Sequence, residues 1–299
     1  MDAAPKHDKR KGNTGGTTWM QKTLVFCLGW MNLPFVYTGM ALVVPFYMLF
    51  NHQGYISQYH FFRKRLGYGI FKSFVNVYIN HFKFGQIILD RFAVYGGARF
   101  HVETEGNPIY LEKIGKPEGF IQMSSHVGNF ELAGYMLSQD KKPVYALIFG
   151  GETSTVMQNR QKIFRKMNIR LISVGTDLAH IYAMNNALDQ GAIISMPGDR
   201  MFGSSKSISC DFFGSKAEFP LGPYLLAATK DVPIVSIFVM KESIYKYRIY
   251  LREVCIHEEL ATCGAKQKAT MLAKDFVRHL EDIVRKYPNQ WFNYYDFWK

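Results

Sequence analysis

Residues 119–137 read GFIQMSSHVGNFELAGYML. The opening GFIQM is a short apolar run, the pattern of a buried strand. NFELAGYML reads as a helix. The two meet in SSHVGNFE, residues 124–131, so a strand gives way to a helix within a few residues. The same alternation continues downstream. PVYALIF, IRLISVG, GAIISMP and VPIVSIFV are short apolar runs rich in β-branched residues, and STVMQNRQKIFRKMN, DLAHIYAMNNALDQ and LGPYLLAATK stand between them as helices. Strands alternating with helices specify an α/β fold with a central, largely parallel sheet flanked by helices. YKYRIYLREVCI alternates after a short break and is expected as a hairpin strand at the sheet edge. Leu272, Phe276, Leu280, Ile283 and Tyr287 recur at helical spacing, and Pro288 ends that helix.

The turn itself carries a His and a Glu. Within one regular helix, residues five apart point about 140° away from each other. His126 and Glu131 therefore meet only if His126 lies on the turn and Glu131 in the first helical turn. Gly128 permits a tight backbone there, and Asn129 is an expected N-cap. A carboxylate near a helix N-terminus is favoured as the anion. Beside an imidazole it would fix the tautomer and support the imidazolium. The expectation is a His126/Glu131 dyad at the carboxyl edge of a parallel sheet, where α/β proteins place ligands. Such a dyad can deprotonate a substrate hydroxyl for direct attack on an acyl carbonyl. Ser124 and Ser125 lack a G-x-S-x-G elbow, which argues against a covalent serine mechanism.

The chain has 299 residues, 48% of them hydrophobic, enough for a sizeable core. A net charge of +12 favours an anionic partner: nucleic acid, a membrane surface, an acidic carrier protein or an anionic substrate. No recognised nucleic-acid motif accompanies the charge, and a nucleic-acid partner is not expected. The four cysteines (Cys27, Cys210, Cys255 and Cys263) include no CxxC pair, which suggests free thiols in a reducing compartment. The histidines are scattered and H-E-x-x-H is absent, so no metal site is expected.

Residues 1–18 are polar and basic and read as a disordered tail. Between Lys22 and Arg63 there is no Lys, Arg, Asp or Glu. Residues 19–62 are expected as a hydrophobic membrane anchor, since a span takes about 20 apolar residues. Pro34 and Pro45 interrupt the run, which leaves one kinked span or a hairpin lying in one leaflet. Residues 63–299 then form the catalytic domain.

SSHVGNFE resembles the H-x-x-x-x-(D/E) motif of glycerolipid-type acyltransferases, and its Gly-Asn-aromatic-acid core is similar to that of the bacterial lipid A biosynthesis acyltransferases. GAIISMPGDR resembles that family's strand ending in Pro-Asp, CDFFGSKAEFPLGPYLLAATKDVPIV its Phe-Phe-Gly block, and YPNQWFNYYDFWK its closing segment. The resemblance covers residues 100–299, with an N-terminal anchor in keeping. It departs at Asn289, at Arg200 after Asp199, and at Tyr294 and Tyr295, which leaves the acceptor lipid open.

The resemblance implies O-acyl transfer from a thioester, acyl carrier protein or coenzyme A, to a hydroxyl on a lipid A precursor. No cofactor is expected. His126 would be the general base, supported by Glu131. Donors for the developing oxyanion are expected from backbone N–H groups of residues 127–129 or the Asn129 side chain. Gly128, Asn129, Arg160, Asp199 and Arg200 are expected to bind substrate, Arg160 by gripping a phosphate and Asp199 with Arg200 by lining the acceptor pocket. Gly198 and Gly203 would let a headgroup approach. The alternative for Arg160 is a solvated helix face, for Asp199 and Arg200 a structural pair, and for WFNYYDFW either an interfacial tail or an aromatic closure of the core. The implied setting is the inner membrane, with the catalytic domain on its cytoplasmic face. Another lipid acceptor (a lysophospholipid, aminolipid, glycolipid or pigment lipid) or a non-catalytic lipid-binding role are the competing readings.

Overall fold

The computed structural model describes residues 19, 23, 26, 28–50, 52–136, 142–149, 164, 168–175, 178–201, 206–256 and 263–298. Helices α1 (Leu33–Phe50) and α2 (His52–His60), a π-turn (Phe61–Arg65) and the long α3 (Ile70–Tyr95) come first. They are followed by β1 (His101–Glu105), α4 (Asn107–Gly115), β2 (Phe120–Ser124), α5 (Phe130–Met136), β3 (Val144–Phe149) and β4 (Ile169–Val174). Next come α6 (Ala179–Asp189), β5 (Ile193–Pro197), the hairpin β6 (Ser207–Phe212) and β7 (Ser215–Pro220), and α7 (Leu221–Lys230). The chain closes with β8 (Ile234–Lys241), β9 (Lys246–Val254) and α8 (Ala265–Lys286).

Seven strands form one sheet in the order β1-β9-β8-β2-β5-β3-β4. β2, β3, β4, β5 and β8 run parallel, as the alternation of strands and helices requires. β9 turns back antiparallel to β8, but it is not the edge strand expected from its alternation. β1 pairs parallel to it and takes the edge. HVETE has one β-branched apolar residue and two glutamates, so its sequence carries no strand signal. The same charges suit an edge, where they discourage pairing with another chain.

The inner strands are buried on both faces, which explains their near-continuous apolar runs. Phe120 packs into the layer with α4 and α5, whereas Ile121 and Met123 pack into the opposite layer with α6, α7 and α8. The closing aromatic segment belongs to this second layer. Trp291 is buried against Phe61, Phe212 and Phe297, and the Trp298 indole N–H donates to the Phe212 carbonyl at 3.0 Å. Of the two readings of that segment, the structure takes the core closure.

Helix α1 lies along α3. The Tyr37 hydroxyl donates to Asp90, and the Tyr78 hydroxyl donates to the Ala41 carbonyl at 3.0 Å. The opposite stripe of α1, Phe35, Leu42, Phe46 and Leu49, is exposed. By length and composition α1 can cross a membrane. Phe61 and Phe62, which the sequence reading placed at the end of the anchor, are buried in the main core instead. Gln58 is tied there as well, its amide donating to the Trp291 and Asn293 carbonyls.

Candidate active site

The local sequence builds a sharp exit from β2. Gly128 adopts φ +60°, a region costly for side-chain-bearing residues, and a Cβ there would lie 2.1 Å from the Val239 carbonyl oxygen. The exit is stitched in place by backbone bonds. Gly128 N–H donates to the Gln290 carbonyl at 2.8 Å, Asn129 N–H to that of Val239 at 2.7 Å, and Phe292 N–H to that of His126 at 3.1 Å.

Strand register brings the candidate pair together. Ser124 at the end of β2 is the register partner of Pro197 at the end of β5. His126 and Asp199 each lie two residues beyond those ends, and they meet. His126 Nδ1 is 2.9 Å from Asp199 Oδ1, and the His126 backbone N–H donates to Asp199 Oδ2 at 2.8 Å. The chain leaves β2 towards β3 and leaves β5 towards β8, in opposite directions, so the pair sits at a topological switch point.

Because Asp199 accepts from both groups, the Nδ1 proton is held and Nε2 is the basic nitrogen. Burial holds the His126 pKa below the ordinary 6.5, against the pull of Asp199, so the ring is neutral near pH 7. For Asp199 burial alone would raise the pKa. The His126 ring, the His126 N–H and the nearby Arg200 charge outweigh it and hold the carboxyl below the ordinary range.

Glu131 is the expected partner that the structure reassigns. It stands in the first turn of α5, as its spacing requires, but its carboxylate forms an ion pair with Arg91 of α3. The carboxylate on the imidazole is Asp199. The reason is geometric: α5 turns Glu131 towards α3, while the neighbouring strand delivers Asp199 to the ring.

Of the expected oxyanion donors, the Gly128 and Asn129 N–H groups are engaged by the carbonyls of Gln290 and Val239. Asn129 is buried, and its side chain donates to the Tyr247 hydroxyl at 3.3 Å rather than facing substrate or capping α5. Gly198 faces the core: a Cβ there would meet Met123 Sδ at 2.5 Å, so it leaves no space for a headgroup. Arg200 donates to the Phe292 carbonyl at 2.7 Å and lies over the Tyr295 ring, fastening the closing segment beside the site. It forms no structural ion pair with Asp199. Arg160 and Gly203 lie outside the described residues.

A pocket of about 100 Å³ opens next to Phe130. Phe130 lines it, and the Phe130 ring meets that of His126 edge-on at a centroid distance of 5.4 Å. Val144, Ile148, Phe164 and Met196 give it apolar walls, while Ser124 and Glu131 supply polar groups. A neutral imidazole backed by a carboxylate, next to an apolar pocket, can take a proton from a hydroxyl while an alkyl chain is held nearby. Among the described residues no group of three or more His, Cys, Asp or Glu is placed to hold a metal ion.

Sequence reasoning missed Asp90, Arg91, Lys241 and Tyr247, which surround the back of this loop. The one available signal was the lone Asp-Arg pair in the otherwise apolar helical run GQIILDRFAVYG.

The family model for bacterial lipid A biosynthesis acyltransferases matches residues 80–299. No curated protein matches the chain. Among solved structures, the 1-acyl-sn-glycerophosphate (LPA) acyltransferase PlsC from Thermotoga maritima is similar over 88% of this chain and 98% of its own, at 14% identity and a TM-score of 0.38.

Proposed function

The chain belongs to the bacterial lipid A biosynthesis acyltransferase family, and we propose that it moves a fatty acyl group from an acyl thioester to a hydroxyl of a lipid A precursor, with His126 as general base. The observation that carries this reading is the His126–Asp199 pair at the switch point, with Nδ1 held and Nε2 left as the basic nitrogen.

In the reaction, Nε2 takes the proton of the acceptor hydroxyl as its oxygen attacks the thioester carbonyl. Asp199 steadies the imidazolium that forms. The tetrahedral intermediate collapses, the C–S bond breaks, and the imidazolium returns its proton to the leaving thiolate. The products are the acylated lipid and a free thiol, and no enzyme nucleophile is consumed. The apolar pocket beside Phe130 suits the acyl chain. Glu131, held by Arg91, presents a carboxylate on the pocket wall where it can accept a hydrogen bond from the acceptor.

Acyl carrier protein is the favoured donor, because the chain is basic, with a net charge of +12. Phosphorylated lipid acceptors suit the same excess. Residues 1–72 hold nine Lys and Arg against two Asp, a net of +7. Basic groups beside a membrane segment gain about 1 kcal/mol each from an anionic surface. Together with the exposed apolar stripe of α1, this supports a reading of the enzyme as held at the inner membrane with its catalytic domain facing the cytoplasm.

The test is transfer of labelled acyl groups from acyl carrier protein to a lipid A precursor in detergent. His126→Ala is expected to lose about 10²–10⁴-fold in rate, the range for general-base catalysis. Undiminished transfer by that variant would overturn the mechanism. Transfer to a lysophospholipid or glycolipid but not to the lipid A precursor would keep the chemistry and change the acceptor.

A further inference from the structure

Behind the candidate catalytic loop lies a buried charged cluster that the reaction does not touch. Asp90 on α3 and Lys241 at the end of β8 are both fully buried, with Lys241 Nζ 2.5 Å from Asp90 Oδ2. Two phenols complete the shell: the Tyr37 and Tyr247 hydroxyls both donate to the Asp90 carboxylate. Lys241 Nζ also donates to the Ile244 carbonyl at 2.9 Å and lies over the rings of Tyr37, Phe100 and Tyr247.

A buried ion pair is weak as a stabilising device, because desolvation offsets most of its attraction and apolar replacements are often as stable or more so. Its connections point to another role. The Tyr247 hydroxyl that donates to Asp90 also accepts from the Asn129 side chain at 3.3 Å. The Asn129 Oδ1 has no hydrogen-bond partner among the described residues, so Tyr247 is that side chain's anchor. A second route starts from the Lys241 backbone, whose N–H and C=O both bond the Gln290 side chain, at 2.9 and 2.8 Å. The Gln290 carbonyl in turn accepts from Gly128 N–H. The next residue of α3, Arg91, holds Glu131 directly. Three separate ties therefore run from this cluster and its helix to positions 128, 129 and 131, and His126 stands on the same loop.

We propose that Asp90 is a positioning residue for acyl transfer: through Lys241 and Tyr247 it sets the loop that presents His126 to Asp199 and substrate. It touches no reacting atom. Through Tyr37 it also fastens the apolar helix α1 to that loop, so the membrane-facing element and the general base share one hub. The inference rests on the acyltransferase reading above for its kinetic arm only.

The first variant is Tyr247→Phe, which keeps the ring and removes the hydroxyl shared by Asp90 and Asn129. In the full chain, kcat for transfer from acyl carrier protein is expected to fall by about tenfold to a hundredfold, the scale of a small misplacement of reacting groups, with both KM values unchanged. The ring-nitrogen shifts of His126 in [15N]histidine-labelled protein are expected to move. The second variant, Asp90→Leu with Lys241→Met, replaces the ion pair by apolar groups. It is expected to remain folded, with a melting temperature lowered by the two phenol donors it leaves unpaired, while losing kcat to a similar degree. Wild-type kcat and unmoved His126 shifts in Tyr247→Phe would overturn the proposal, as would full kcat in a folded double variant. If the double variant does not fold, Tyr247→Phe decides alone. Wild-type protein that acylates no lipid refutes the functional reading, and the His126 shifts still decide the positioning role.

Discussion

His126 and Asp199 are 73 residues apart in the chain, yet the imidazole and the backbone N–H of one both bond the carboxylate of the other. The Ser124–Pro197 register enforces this, because any other pairing of β2 with β5 would carry the two residues past each other. Asp199→Asn keeps the shape and removes the charge that orients the ring. It is expected to lower kcat by at least about 10²-fold while leaving the melting temperature close to wild type. Glu131→Gln, which disturbs an ion pair on the pocket wall, is expected to cost less. Steady-state kinetics of the two variants side by side checks the order, and a larger loss in Glu131→Gln would return the supporting role to Glu131.

The pH dependence follows from the same pair. A general base works only when deprotonated, so kcat/KM should fall on the acid side with a midpoint below 6.5, because burial holds the His126 pKa down. Asp199 favours the imidazolium and so raises that pKa. In Asp199→Asn the midpoint should therefore move to still lower pH, even as the plateau drops. A midpoint that moves up would contradict the contact.

Two glycines with positive φ separate strain from steric exclusion. Gly128 (φ +60°) has the Val239 carbonyl oxygen 2.1 Å from where a Cβ would sit, whereas Gly214 (φ +73°) has nothing within 4 Å. Gly214→Ala should cost only the backbone term, about 1–2 kcal/mol. Gly128→Ala should cost more and also abolish transfer, since the loop must move to admit the methyl group. Chemical denaturation gives the first comparison and an activity assay the second.

The exposed stripe of α1 predicts the membrane contact. Leu42 and Phe46 face away from α3 and are 72% and 64% exposed. Leu42→Asp with Phe46→Asp should abolish flotation with anionic vesicles while leaving the fold of residues 63–299 intact. A doubly substituted protein that still floats would assign membrane binding to another surface.

The alternation of apolar runs was enough to identify an α/β chain with a largely parallel sheet, because strand and helix periods are local properties of the sequence. The β2–α5 turn was legible for the same reason: a Gly and an Asn at a strand end tolerate the sharp backbone turn that other residues resist. The apolar stretch before Arg63 likewise showed itself through composition alone. Which carboxylate reaches His126 was a different kind of question. It depends on which strands are neighbours and in what register, and local pattern carries neither. The same holds for β1, whose HVETE becomes a strand only because β9 offers it an edge. It holds most clearly for Asp90 and Lys241, 151 residues apart, whose pairing with each other and with two tyrosines comes only from the packing of α3 against β8.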